Sequence, residues 1–177
     1  MEAPKKIVVI GPESTGKSTI SQQLADHYAT CWCPEFARAY LLKNGKSYDY
    51  QDLLHIAKGQ VELEENYQTK AKNGLYIIDT NLYVVKVWCE VAFGQCHKWI
   101  LDEIARRPYD LYLLCKTDLP WTADELREYP DPVFREQLYK MYRDLLINDG
   151  TEWAEISGKE NERLQTAIRA IDHFLAG

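Results

Sequence analysis

The octapeptide Gly11-Pro12-Glu13-Ser14-Thr15-Gly16-Lys17-Ser18 constrains this chain more than any other feature in it. It fits G-x-x-x-x-G-K-[ST] at every fixed position, between the apolar run Ile7-Val8-Val9-Ile10 and a stretch with helical spacing. Gly11 and Gly16 accept backbone angles that a β-carbon hinders, so successive N–H groups can turn inward around a phosphate. The helix that follows adds its unpaired N–H groups and its dipole to the same anion. Lys17 is then placed to reach the β- and γ-phosphates, and Ser18 to put its hydroxyl on Mg²⁺. Glu13, Ser14, Thr15 and Thr19 complete the expected nucleotide contacts. The loop predicts ATP with Mg²⁺ as the bound pair.

Short apolar runs alternate with amphipathic stretches along the rest of the chain. Strands are expected at 7–10, 30–33, 75–79, 111–115 and 153–156, and helices at about 17–28, 51–72, 82–93, 98–107, 133–147 and 160–175. Thr80 or Asn81 is available to cap the helix after the third strand, and Gly94 to end it. Glu62, Glu64 and Glu65 read as one solvated helix face. Residues 118–132 carry three prolines and five acids and read as an irregular excursion. Strands apolar on both faces and separated by helices mean a parallel sheet covered on both sides. The expectation is a single α/β P-loop NTPase domain over residues 1–177. Its five-stranded parallel sheet takes the order 2-3-1-4-5, with helices on both faces and a small lid at about 118–135. Ligands of such sheets bind at the carboxyl ends of the strands.

Charge and cysteine usage narrow the partners. Lys and Arg number 21 against 27 Asp and Glu, a formal charge of −6, which disfavours nucleic acid as a partner. The five cysteines form no C-x-x-C pair, as expected of reduced thiols. The run at 7–10 is too short for a signal peptide, and nothing approaches the ~20 apolar residues of a membrane span. The protein is expected to be cytoplasmic, without a membrane partner. His27, His55, His97 and His173 are scattered and read as structural or exposed.

The phosphate loop alone does not separate kinases from GTPases or motor ATPases. A GTPase shows N-K-x-D after a strand, whereas Lys116-Thr117-Asp118-Leu119 follows the fourth one here. An AAA-type oligomeric machine needs a longer domain and a helical lid. Small-molecule kinases of this size carry an acid after strand two, an Asp after strand three and a basic lid after strand four. Glu35 with Arg38, then Asp79, then Arg127 and Arg135 fill those places.

At these residues the chain resembles a known family. Gly-Pro-Glu-Ser-Thr-Gly-Lys-Ser (11–18), Pro-Glu-Phe-Ala-Arg (34–38), Ile-Asp-Thr-Asn (78–81), Lys-Val-Trp-Cys-Glu (86–90) and Asp-Leu-Pro-Trp (118–121) with Arg127 look like the NadR-type nicotinamide riboside kinase domain. The likeness runs in the same order over nearly the whole chain. It implies a transfer from ATP to nicotinamide riboside, giving nicotinamide mononucleotide and ADP. Bifunctional members carry an N-terminal nucleotidyltransferase domain that the first strand here leaves no room for, so a stand-alone kinase is expected.

Each role has an alternative. Asp79 is expected to hold Mg²⁺ with Ser18, or else to cap the next helix. Glu35 is expected to accept the ribose diol and take the 5′-hydroxyl proton, or else to pair with Arg38. Arg127, with Arg135, is expected to close over the transferring phosphate, or else to pair with Asp124 or Glu128. Trp121 and Trp88 are candidates to stack on a pyridinium ring, with core packing as the alternative. Asn81 is placed to read the ribose or carboxamide, and Gly158 to let adenine approach the backbone after the fifth strand. The competing functions are a kinase of another nucleoside or small alcohol, and an ATP-binding regulatory module.

Overall fold

The computed structural model describes residues 3–177. Strands β1 (Lys5–Ile10), β2 (Trp32–Cys33), β3 (Leu75–Asp79), β4 (Leu111–Cys115) and β5 (Trp153–Ile156) form one sheet in the order β2-β3-β1-β4-β5. Every neighbouring pair is parallel. This is the expected α/β P-loop topology.

Alternation along β1 sorts the core into two layers, because successive strand side chains point to opposite faces. Ile7 and Val9 pack with Ile20 and Leu24 of α1 (Lys17–His27) and with Ile168 and Ile171 of α7 (Glu160–Ala176). Val8 and Ile10 face Val87 of α4 (Leu82–Phe93) and Leu138 and Leu146 of α6 (Pro132–Asp149). Outside α4 lies a third cluster, built by α2 (Phe36–Asn44), α3 (Tyr50–Gln68) and α5 (Lys98–Arg106). No helix among the described residues is long and apolar enough to cross a membrane.

Three features differ from expectation. β2 has two residues rather than four; ahead of it the Thr30 hydroxyl donates to the Leu75 carbonyl at 2.6 Å and accepts the Lys72 N–H at 3.0 Å. Helix α2 lies where the sequence pattern marks no helix; it buries only Ala37 and Leu41, too narrow a stripe to read as periodicity. Helix α3 begins one residue early, at Tyr50, with the Asp49 carboxylate accepting from Asp52 N, and it ends at Gln68.

Glu64 is not solvated. It is 3% exposed, and its carboxyl accepts from Gln60 Nε2 at 3.2 Å and from the Tyr109 hydroxyl at 2.8 Å. Burial pushes this carboxyl from the ordinary 4.5 up to about 7. The folded state therefore binds a proton that the unfolded chain releases between those values. The stabilisation is complete below the unfolded pKa and is lost as pH rises through the folded one. At about 1.4 kcal/mol per unit, the loss is on the order of 3 kcal/mol. Thermal unfolding at pH 5 and pH 8 should show a smaller fall in Tm for Glu64→Gln than for the wild type; an equal fall would place the titrating group elsewhere.

Candidate active site

The carboxyl ends of the strands open onto a cavity of about 300 Å³. The phosphate loop, residues 11–19, lines it together with Tyr48, Trp88 and Val91. Residues 125–129, from the irregular segment between β4 and α6, line it as well. Glu35 and Arg38, at the start of α2, line the same space.

The loop is shaped by close packing. Gly11 has φ +149°, and a β-carbon there would stand 2.7 Å from the Cys115 carbonyl oxygen. The Thr15 hydroxyl and the Lys17 ammonium each donate to the Pro12 carbonyl at 2.8 Å, so Lys17 arches back across the loop. Ser18 Oγ donates to Asp79 Oδ2 at 2.5 Å, joining the first turn of α1 to the end of β3. Asp79 is 1% exposed, and its Oδ1 is buried with no hydrogen-bond partner. A buried carboxylate oxygen without a partner, beside a hydroxyl at a phosphate loop, is a donor set suited to Mg²⁺. Among the described residues no group of three or more His, Cys, Asp or Glu converges as a metal cage. Mg²⁺ bound through phosphates needs none.

Glu35 is the N-cap residue of α2, yet its side chain makes no capping hydrogen bond. Burial, and then the nearby Asp79 carboxylate, push its carboxyl from 4.5 up to about 7, against the opposing pull of Lys17. Burial likewise raises Asp79, against its Ser18 hydrogen bond and Lys17. Two carboxylates whose ionisation is mutually unfavourable thus flank one lysine at the phosphate loop.

The irregular segment between β4 and α6 is fastened from two sides. On the phosphate-loop side, Thr122 N donates to Ser14 Oγ at 2.9 Å, and the Glu13 carboxylate accepts Glu128 N and Tyr129 N at 3.0 and 3.2 Å. On the other side, Arg38 grips Asp124 with two bonds of 3.1 and 3.2 Å, Lys46 pairs with Glu125 at 3.0 Å, and the Tyr48 hydroxyl donates to Glu128 at 2.9 Å. Arg127 lines the cavity; its side chain donates to Ser14 Oγ at 3.4 Å and to the Thr122 carbonyl, not to Asp124 or Glu128. Arg38 pairs with Asp124 of this segment and not with Glu35.

Three expected contacts are corrected. Trp121 does not line the cavity; its ring lies 5.7 Å from the Arg135 guanidinium. Arg135 is 4% exposed and donates to the carbonyls of Glu13 at 3.2 Å, Ser14 at 3.1 Å and Leu119 at 3.4 Å, so its forked donors brace the loop from behind. Asn81 has both ends engaged internally: Oδ1 caps α4 through Tyr83 N at 3.1 Å, and Nδ2 donates to the Tyr112 hydroxyl at 3.0 Å. Gly158, by contrast, gives its N–H to Asp118 at 2.7 Å, and its carbonyl accepts from Arg163 at 2.9 Å. The acids of the excursion are also engaged. Asp118 pairs with Arg163, Asp124 with Arg38 and Glu125 with Lys46, while Asp131 caps α6.

Sequence reading missed Tyr48 and Lys46, which sit in a loop with no pattern to mark them. Tyr48 meets Trp88 edge-on, with ring centroids 4.8 Å apart at 74°. That contact gives the cavity a two-ring aromatic wall.

Comparison with known proteins matches residues 6–163 to the AAA_28 family, described as an AAA domain. The match describes the domain and not its assembly. The chain is similar to the trifunctional NAD biosynthesis/regulator protein NadR of Escherichia coli (strain K12), 25% identical over 160 residues, 88% of this chain and 39% of NadR. It therefore spans about two fifths of that relative's length. Of solved structures, it is similar to NadR protein in complex with NR, with a TM-score of 0.82 and 22% identity over 97% of this chain and 51% of that one. It is also similar to thymidylate kinase from Ehrlichia chaffeensis, with a TM-score of 0.62 and 14% identity over 97% of this chain and 99% of that one. These likenesses bear out the resemblance carried by the motifs and the P-loop kinase fold.

Proposed function

The chain belongs to the AAA_28 family of AAA domains, and from that premise we propose that it is an ATP-dependent kinase converting nicotinamide riboside to nicotinamide mononucleotide. The observation that carries this reading is the placement of Glu35 in the same cavity as the phosphate loop, with Lys17 electrostatically coupled to both Glu35 and Asp79. A nucleotide sensor has no use for a second carboxylate there. A kinase needs one at the acceptor hydroxyl.

Phosphoryl transfer relies on positioning and charge neutralisation more than on covalent chemistry. Residues 11–18 take the ATP phosphates, and Lys17 exchanges the Pro12 carbonyl for the β- and γ-oxygens. Ser18 and Asp79 are the residues that would hold Mg²⁺, which when bound neutralises charge on the phosphates. Glu35 orients the 5′-hydroxyl and receives its proton as the new O–P bond forms and the bond to ADP breaks. Arg127 reaches across Ser14 to the transferring group. The raised carboxyl of Glu35 suits proton transfer near neutral pH.

The aromatic wall supports a cationic acceptor. A pyridinium ring against the half-buried Trp88 indole gains stacking and cation–π attraction of about 1–2 kcal/mol. That role was expected of Trp121 as well, whose place over Arg135 removes it. The likeness to a NadR solved with NR supports the same acceptor. Trp88→Leu should lower kcat/KM for nicotinamide riboside by about tenfold, or 1.4 kcal/mol, while KM for ATP stays within about twofold. An equal loss for uridine would make Trp88 a general packing residue. The reading as a whole is tested by ADP release from the purified protein with Mg-ATP across a panel of ribosides. Nicotinamide riboside should give the highest kcat/KM; preference for a neutral nucleoside would leave a nucleoside kinase of another class, and ADP release that no riboside stimulates would refute a kinase.

A further inference from the structure

We infer that Gln60, a side chain outside the cavity, is a positioning residue that holds the backbone beside Glu35 in register with the backbone beside Asp79. The inference rests on the kinase reading of the same site. Gln60 lies on α3 and is 2% exposed. Its Oε1 accepts the Phe36 N–H at 2.9 Å, and its Nε2 donates to the Thr80 carbonyl and to Glu64 Oε1, each at 3.2 Å. The orientation of the amide follows from its partners, because a backbone N–H can only donate and a backbone carbonyl can only accept.

Both contacts fall next to a site carboxylate. Phe36 opens α2, and its N–H is one of the donors that a helix start leaves unpaired. The N-cap residue usually satisfies such donors, but Glu35 makes no side-chain cap bond. Gln60 fills one of those capping tasks from a different helix, which leaves the Glu35 carboxylate free for the cavity. At the other end, Thr80 follows Asp79 with φ +65°, a strained conformation for a β-branched residue. Its N–H is held by the Val9 carbonyl at 2.9 Å, and its own carbonyl by Gln60. The turn that presents Asp79 to Ser18 is thus pinned on both sides.

Gly59 makes the approach possible. A β-carbon at that position would lie 2.1 Å from the Phe36 ring, so α3 presses on the start of α2 where Gln60 must reach. Glu64, one helical turn along, takes the remaining amide proton. A glutamine within the apolar stripe Leu53, Ile56, Ala57 and Val61 has no solvent to face and is fully committed to this strut.

The test compares Gln60→Met, which keeps the bulk and loses both polar ends, with Gln60→Glu, which keeps an oxygen for Phe36 and guards against a Met variant that fails to fold. With saturating Mg-ATP and riboside, kcat per folded molecule should fall about 10- to 100-fold in Gln60→Met and at least ~5-fold in Gln60→Glu, the scale of a small misplacement of reacting groups. Both KM values should stay within about threefold. Amide hydrogen exchange, which needs no turnover, should quicken at Phe36 and Thr80 together in Gln60→Met. A kcat within about twofold of wild type in both variants, or faster exchange at Phe36 alone, would overturn the inference. A wild type that transfers no phosphate would instead undo the kinase reading, and the exchange arm would still decide the strut.

Discussion

Lys17→Ala is expected to reduce phosphoryl transfer at least ~10³-fold, a loss of about 4 kcal/mol of transition-state stabilisation. The side chain is partly exposed, and its hydrogen bond is to the Pro12 carbonyl at 2.8 Å within its own loop. Removing it creates no core cavity, so thermal unfolding should stay within a few degrees of the wild type. In the reaction the same ammonium neutralises charge on the β- and γ-phosphates, a task no other loop side chain can assume. Arg135 is committed to the carbonyls of Glu13 and Ser14 from behind. Single-turnover transfer measured beside an unfolding curve separates these outcomes. Activity near that of the wild type would remove the phosphate-loop assignment.

Glu35→Gln keeps the size of the side chain and loses its basicity. A lost general base costs about 10²–10⁴ in rate, and kcat should fall in that range while KM for ATP changes little. The pH dependence adds a sign. The Glu35 carboxyl is raised to about 7, so it is protonated and inactive as a base below that value and ionised above it. Wild-type kcat/KM for the riboside should therefore climb with pH up to a shoulder near 7, and Glu35→Gln should lack that acidic limb. Asp79 is coupled to the same ionisation, so the limb belongs to the pair rather than to one residue. An unchanged limb in Glu35→Gln would assign it to Asp79.

The buried strands were legible because both of their faces are apolar and polar or turn residues punctuate their ends. β3, β4 and β5 lie where the sequence puts them, and Gly94 ends α4 in a left-handed conformation as its position suggests. The phosphate loop was legible because its spacing is dictated by phosphate geometry. What stayed hidden depends on which way a side chain turns once its segment is placed. Trp88 and Trp121 both stand near polar neighbours in sequence, yet one walls the cavity and the other covers Arg135. Asn81 carries the same amide whether it reads a ligand or caps a helix, and Tyr83 N and the Tyr112 hydroxyl decide the matter. The acids of the 118–132 segment carry no sequence mark of their partners, because Arg38, Lys46 and Tyr48 approach them from segments 80 or so residues away. Gln60 and Glu64 did leave a trace. They fall at helical spacing on the stripe of Leu53, Ile56 and Ala57, and polar residues on an apolar stripe signal a buried network.

The central claim is transfer of the γ-phosphoryl group of ATP to the 5′-oxygen of nicotinamide riboside. The most direct measurement is a competition in which nicotinamide riboside, uridine and thymidine are supplied together at equal sub-saturating concentrations with Mg-ATP, and the products are weighed by mass spectrometry. Nicotinamide mononucleotide should form at least ~10-fold faster than either neutral nucleotide, a discrimination of about 1.4 kcal/mol. Formation of uridine or thymidine monophosphate at an equal or greater rate would contradict the account.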